Sequence, residues 1–194
     1  MPKLIEVELR ILLKNRKEAE KILLSRGARI RYSAELKDYW FCPKTAKNFK
    51  EASIDKTGFA LRIRETKDIY SGKTNSSLEC KTLADGKTHS LCHEHEIGLL
   101  NAAEMRLILS DIGLKEFLAV EKRRVVYLYK GVKFCFDSIK GVGEGLEIEV
   151  NTKRGNETEA HKKLFNLALS LGIRKEEILK KSLTYIAMQK LSRF

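Results

Sequence analysis

Several short segments of this 194-residue sequence carry an ionisable residue at every second position, with apolar residues between. The first runs Ile5-Glu6-Val7-Glu8-Leu9-Arg10-Ile11. A period of two is that of a strand, whose successive side chains point to opposite faces. The pattern returns at Arg62/Arg64, Glu94/Glu96, Lys122/Arg124 and Glu147/Glu149, with Lys81 and Asp137 on segments that alternate less cleanly. One such strand is ordinarily part of a sheet with a wet face. Five of them, of both signs, in a chain that also has amphipathic helices to cover the apolar faces, imply that the charged faces meet inside a closed sheet. About eight strands enclose an interior wide enough for a small ligand. Charges packed there are costly unless they neutralise one another, a metal or a bound polyanion. The expected fold class is therefore α+β: a closed antiparallel β-barrel of about eight strands with helices outside.

The rest of the chain supplies the other elements. Strand Leu4–Leu12 leads to a helix over Asn15–Arg26, with Asn15 as N-cap, Glu18 three residues on and Gly27 as stop. Extended segments follow at Glu35–Phe41, Gly58–Glu65, Ser77–Leu83 and Leu91–Leu99, separated by turn material at Asp55–Gly58, Ser71–Ser76 and Asp85–Lys87. A second capped helix spans Asn101–Gly113. Val120–Tyr129 and Val132–Asp137 form a hairpin about Lys130-Gly131, and a glycine-rich link, Gly141–Gly145, precedes strand Leu146–Val150. Helices are expected at Glu157–Leu171 and Lys175–Leu191. Residues 1–194 are expected to form one domain, the C-terminal helices 157–191 packed on the barrel. Overlaying Glu6-x-Glu8 on Glu94-x-Glu96, Gly27 on Gly113, and Leu61–Arg64 on Leu146–Glu149 suggests two β-α-β-rich halves.

The formal charge of +12 points to a polyanionic partner. Cys42, Cys80, Cys92 and Cys135 are widely spaced, as expected of reduced packing thiols. No stretch has the length of a membrane span, and the start is charged where a signal peptide is apolar, so a cytoplasmic protein without membrane association is expected. His89, Cys92, His93 and His95 invite a zinc site, but on a strand His93 and His95 point away from Cys92 and cannot converge with it on one ion.

Glu6-Val7-Glu8-Leu9-Arg10 resembles the E-x-E-x-K signature that opens proteins of the CYTH family, which includes class IV adenylyl cyclases and thiamine and inorganic triphosphatases of the triphosphate tunnel fold. Leu61–Arg64 is similar to the family's L-R-I-R strand, Lys81 to its downstream lysine, and Glu94-x-Glu96 to its middle acidic pair. Lys122-x-Arg124 matches its basic strand. Asp137, Gly141-Val142-Gly143 and Glu147-Ile148-Glu149 match its D-x-x-x-G-L-G stretch and final E-x-E, and Lys181-Ser182 with Tyr185 resembles its terminal K-S-Y. Two departures stand out: Arg10 replaces a lysine, and Leu183-Thr184 separates Ser182 from Tyr185.

The resemblance implies that Glu6, Glu8, Glu147 and Glu149, assisted by Asp137, hold Mg²⁺ or Mn²⁺, hard cations that favour carboxylate oxygens. Arg62, Arg64, Lys81, Lys122, Arg124, Arg10 and Lys181 would bind phosphate oxygens, with Glu94 and Glu96 either orienting them or binding a second metal. Glu6, Glu8, Arg10, Lys122 and Arg124 are the expected catalytic set. Two reactions fit: cyclisation of ATP to cyclic AMP and pyrophosphate, toward which the whole-chain pattern leans, and hydrolysis of a nucleoside, thiamine or inorganic triphosphate. A small-molecule triphosphate is the expected partner, and a homodimer is plausible. A non-catalytic polyphosphate or nucleic-acid binder is the alternative. Pairing of cations with carboxylate strands argues against a nucleic-acid groove.

Overall fold

In the computed structural model, which describes residues 4–84 and 91–191, eight strands close into an antiparallel barrel in the ring order β1-β5-β4-β3-β2-β6-β7-β8. The strands are β1 (Ile5–Leu12), β2 (Arg29–Pro43), β3 (Ala60–Asp68), β4 (Thr74–Leu83), β5 (Leu91–Leu99), β6 (Leu114–Tyr129), β7 (Val132–Ile139) and β8 (Gly143–Thr152). The helices are α1 (Arg16–Ser25), α2 (Phe49–Ala52), α3 (Ile54–Thr57), α4 (Ala102–Asp111), α5 (Glu157–Ser170) and α6 (Leu183–Leu191).

The alternation read from the sequence decides which face is which. On β1, Val7, Leu9 and Ile11 point outward, joined by Phe134 and Phe136 of β7 and by Leu146 and Ile148 of β8. Leu23 of α1 and Leu164 and Ala168 of α5 cover them, and all are nearly inaccessible. A separate outer cluster sets Leu109 of α4 on Tyr39, Phe41 and Ile63. With these faces turned to the helices, Glu6, Glu8 and Arg10 point into the barrel.

Helix α1 starts where expected: the Asn15 side chain accepts the Glu18 backbone N–H at 3.2 Å. Helix α4 does the same with Asn101 and Glu104 at 3.0 Å. Gly27 and Gly113 follow the two helices in the left-handed conformation (φ +88° and +92°), which glycine adopts without a Cβ clash.

The two halves have the same order, β-α-β-β-β, if α2 and α3 are set aside. Around the ring, β2-β3-β4 is completed by β5, and β6-β7-β8 by β1. Each half thus closes on the first strand of the other. The sequence overlay is correct for β1 on β5 and α1 on α4, but it sets β3 (Arg62, Arg64) against β8 (Glu147, Glu149), the third strand of one half against the fourth of the other.

Several expectations need correction, among them the start of β6, which is Leu114 rather than Val120. The β2 segment is much longer than Glu35–Phe41, because it pairs with β6 along Arg29–Pro43. The region ending at Gly58 contains two single-turn helices, α2 and α3. The expected helix Lys175–Leu191 is broken: Lys175–Glu177 is a 3₁₀ turn, Ile178 bridges to Ile11, and the Leu179 N–H donates to the Arg10 carbonyl at 2.7 Å. A new helix begins after Ser182, whose Oγ accepts the Tyr185 N–H at 3.0 Å. The expected turn at Asp85–Lys87 lies outside the described residues.

Helix α6 closes one end of the barrel. Leu183, Ala187 and Met188 are buried against Trp40, Phe117, Leu118, Val120 and Ile139. At that end Gly145 has no side chain, and a Cβ there would lie 2.5 Å from Leu183 Cδ1. Among the described residues no helix is long and apolar enough to cross a membrane.

Candidate functional site

The strand registers carry one inner face round the whole ring. Glu8 lies opposite Glu149 and Arg10 opposite Glu147 across β1 and β8, while Arg124 faces Asp137 across β6 and β7. Ala34 and Leu36 of β2 lie opposite Arg124 and Lys122, which puts Asp38 and Trp40 on the same inner face. Arg62 pairs with Trp40 and Glu79, Lys81 with Glu94, and Glu79 with Glu96. Most of these side chains line a cavity of about 950 Å³; Asp38 and Asp137 are not part of its wall but pair with Arg64 and Arg124, which are, and Lys122, also outside the wall, pairs with both acids.

Its ionic side chains form three groups. In the first, Arg64 donates from Nε and Nη2 to both oxygens of Asp38, at 2.6 and 2.8 Å. Arg62 donates from Nε to Glu79 at 2.8 Å and lies 3.6 Å from Asp38 and 5.0 Å above the Trp40 ring. Burial alone would raise the Asp38 pKa, but Arg64, Arg62 and Lys122 outweigh it and hold the carboxyl well below the usual range. In the second group, Arg124 holds Asp137 through two bonds of 2.6 Å and reaches Glu147 at 2.6 Å, while Lys122 bonds Asp137 at 2.9 Å. Burial and the neighbouring Arg124 depress the Lys122 pKa. Glu147 is pulled down despite its burial, by Arg124, Lys122, Lys81 and Arg10.

The third group is acidic. Carboxylate oxygens of Glu6, Glu8 and Glu149 lie within 4.8 Å of one another. Lys81 bonds Glu6 at 2.6 Å and approaches Glu94 at 3.4 Å, Arg10 bonds Glu8, and Lys133 bonds Glu149 at 3.1 Å. Burial is the largest influence on Glu8, and its pKa is raised although Lys81 and Arg10 oppose the rise; Glu147 and Glu6 add to it. Three buried hard-oxygen donors at this separation fit a divalent cation such as Mg²⁺ or Mn²⁺, whose charge would relieve the crowding.

The residues expected from the sequence therefore divide. Glu6, Glu8 and Glu149 come together as one donor set, whereas Asp137 and Glu147 are engaged by Arg124 in the second group. Arg10, Arg62, Arg64, Lys81 and Arg124 line the cavity, and Lys122 joins them through Asp38 and Asp137. Glu94 and Glu96 line it beside Lys81 and Glu79. Lys181 also lines the cavity, at the end closed by α6, where it is exposed and its Nζ lies 5.1 Å over the Tyr185 ring. On β5, Cys92 points in while His93 and His95 fall on the opposite face, so the zinc grouping does not assemble; His89 lies outside the described residues.

Sequence reasoning missed Asp38, Glu79, Lys133 and Tyr32, all of which belong to the inner face. Glu79 carried a signal, since it precedes Lys81 at a spacing of two. Toward the end closed by α6 the cavity wall carries Phe49, Phe117, Tyr185 and Met188 beside Lys181, Ser182 and Thr184, with Phe49 and Tyr185 packed edge-to-face at 4.9 Å.

The sequence pattern of the CYTH domain matches residues 4–183. A Methanocaldococcus jannaschii protein named as a candidate adenylate cyclase is 24% identical over 180 residues, covering 92% of this chain and 96% of that protein. A solved structure from Pyrococcus horikoshii superposes with a TM-score of 0.77 at 25% identity, covering 95% of this chain and 99% of the other. A candidate adenylyl cyclase from Hippeastrum, described as having a dominant triphosphatase activity, superposes with a TM-score of 0.61 at 16% identity, covering 96% and 95%.

Proposed function

Because this chain belongs to the CYTH domain family, we propose that it is a divalent-metal-dependent enzyme that holds an organic triphosphate in its barrel and cyclises ATP to cyclic AMP and pyrophosphate. One observation carries the reading: Arg62, Arg64 and Arg124 and a cluster of three carboxylates share one cavity, whose wall also carries the aromatic rings of Phe49, Phe117 and Tyr185. Phosphate oxygens need the cations, and a divalent ion needs the carboxylates. Aromatic rings in the wall suit a nucleoside better than inorganic tripolyphosphate.

In this reading Arg62, Arg64, Lys122 and Arg124 bind the phosphate oxygens, the arginines through paired donors. Glu6, Glu8 and Glu149 would hold Mg²⁺ or Mn²⁺, which supplies charge neutralisation at the phosphates. The ribose 3′-oxygen attacks the α-phosphorus, the bond from that phosphorus to the α,β-bridging oxygen breaks, pyrophosphate departs and the hydroxyl proton is released to solvent. The chain's contribution is to hold the phosphates in line and compensate their charge. The name of the Methanocaldococcus relative supports this reaction. The Hippeastrum protein supports a second reading, in which water attacks the terminal phosphorus of the same bound triphosphate.

Purified protein incubated with ATP, tripolyphosphate or thiamine triphosphate and Mg²⁺ or Mn²⁺ distinguishes them by product. Cyclic AMP and pyrophosphate from ATP are expected. Orthophosphate without cyclic AMP would replace cyclisation by hydrolysis, and no product from any of the three would remove the enzymatic reading.

A further inference from the structure

Asp38 is an acid that neither the charged alternation nor the metal cluster accounts for. It lies on the inner face of β2, between Leu36 and Trp40, with 2% exposure. Three cations from two other strands converge on it: Arg64 through two bonds at 2.6 and 2.8 Å, Arg62 at 3.6 Å and Lys122 at 3.8 Å. Arg64 offers Asp38 the Nε/Nη edge, the same paired-donor edge that binds a phosphate. Arg62 and Lys122 each have a second carboxylate, Glu79 and Asp137. Arg64 depends more on Asp38, with Glu79 at 3.5 Å.

We propose that Asp38 is a built-in counter-anion: its carboxylate stands in for a phosphoryl group, keeping Arg62, Arg64 and Lys122 oriented and neutralised until substrate phosphate shares or takes over their donors. The inference rests on the phosphate-binding role given to these cations above. Without Asp38 the barrel would bury Arg64 with only Glu79, at 3.5 Å, to compensate it, which destabilises a fold strongly. With Asp38 present, each incoming phosphate must approach a fixed negative charge. Affinity for substrate and product is therefore held down, and product leaves more readily.

Asp38→Asn tests this. Asparagine keeps the shape and one acceptor for Arg64 but removes the charge. Tripolyphosphate is titrated by calorimetry in EDTA, so that the cations alone are read, and thermal melts are recorded with and without it. The expected result is a lower melting temperature for the ligand-free variant, tripolyphosphate binding about tenfold tighter or more than wild type, and a gap between the melts that narrows at saturation. Asp38→Glu, which keeps the charge, should stay within about threefold of wild-type affinity. A purely structural Asp38 would lower the melting temperature without tightening binding, and that result overturns the inference. If Asp38→Asn does not fold alone, tripolyphosphate must restore a cooperative melt, and failure to do so also overturns it. Wild-type protein that binds no tripolyphosphate would overturn the tunnel reading itself; wild-type binding that the variant does not exceed overturns this inference alone.

Discussion

The carboxylates of Asp38, Glu79 and Glu147 are all held below their ordinary pKa values, in each case by arginines that outweigh the cost of burial. The folded state thus keeps them charged at pH values where the unfolded chain would protonate them. Their stabilisation is complete above the ordinary carboxylate range of roughly pH 4 to 4.5 and is lost as pH falls through the lower folded values. Glu8, raised by burial, works in the opposite direction and costs stability as pH rises past its unfolded value. With three groups against one, the melting temperature of metal-free protein should fall steeply from pH 5 to pH 3. Asp38→Asn should flatten that slope. A melting temperature that is constant or rises over this interval would contradict the ion-pair assignments. These residues also mark where sequence reading stopped. Asp38 has Leu36 and Trp40 at a spacing of two, and the charged doublet beside it, Glu35/Lys37, falls on the opposite face, so the inner face of β2 shows no charged alternation. From Asp38 to Cys42 the strand is buried on both faces, and its buried acid becomes intelligible only once β3 and β6 flank it. Glu6, Glu8 and Glu149, by contrast, were legible because each sits in a clean doublet or triplet.

Capped and alternating elements were legible because their signals are local. Asn15 and Asn101 cap α1 and α4 as their spacing to Glu18 and Glu104 requires, and the Lys130-Gly131 turn joins β6 to β7. The C-terminal segment was not, because the Leu179 N–H bonds to β1 rather than within a helix. Ser182 was the missed local sign that a helix starts anew. The seating of α6 can be tested directly. Leu183 is 2% exposed and fills the space a side chain at Gly145 would need. Gly145→Ala should therefore cost about 1–3 kcal/mol, the usual penalty for overpacking. Adding Leu183→Ala should make the Gly145→Ala change cheaper than it is in the wild-type background. Additive losses in chemical denaturation would mean that α6 does not press on β8.

Among the described residues the inner face carries more carboxylates than cations, although the chain has 38 Lys and Arg against 26 Asp and Glu. The cationic excess of the described residues accordingly lies outside the tunnel, and the interior is a mixed network of both signs rather than a basic hole. A triphosphate can enter such a network only by exchanging partners with carboxylates and by bringing cations of its own. This links the acidic cluster to the arginines across the barrel, and it is why net charge alone gave little guide to the site. The direct test is a crystal structure with a non-hydrolysable ATP analogue and Mn²⁺, the metal located by its anomalous signal. The predicted result is Mn²⁺ on Glu6, Glu8 and Glu149, with phosphate oxygens on Arg62, Arg64, Lys122 and Arg124. An analogue bound on the outer surface, or manganese away from those three carboxylates, would contradict the account.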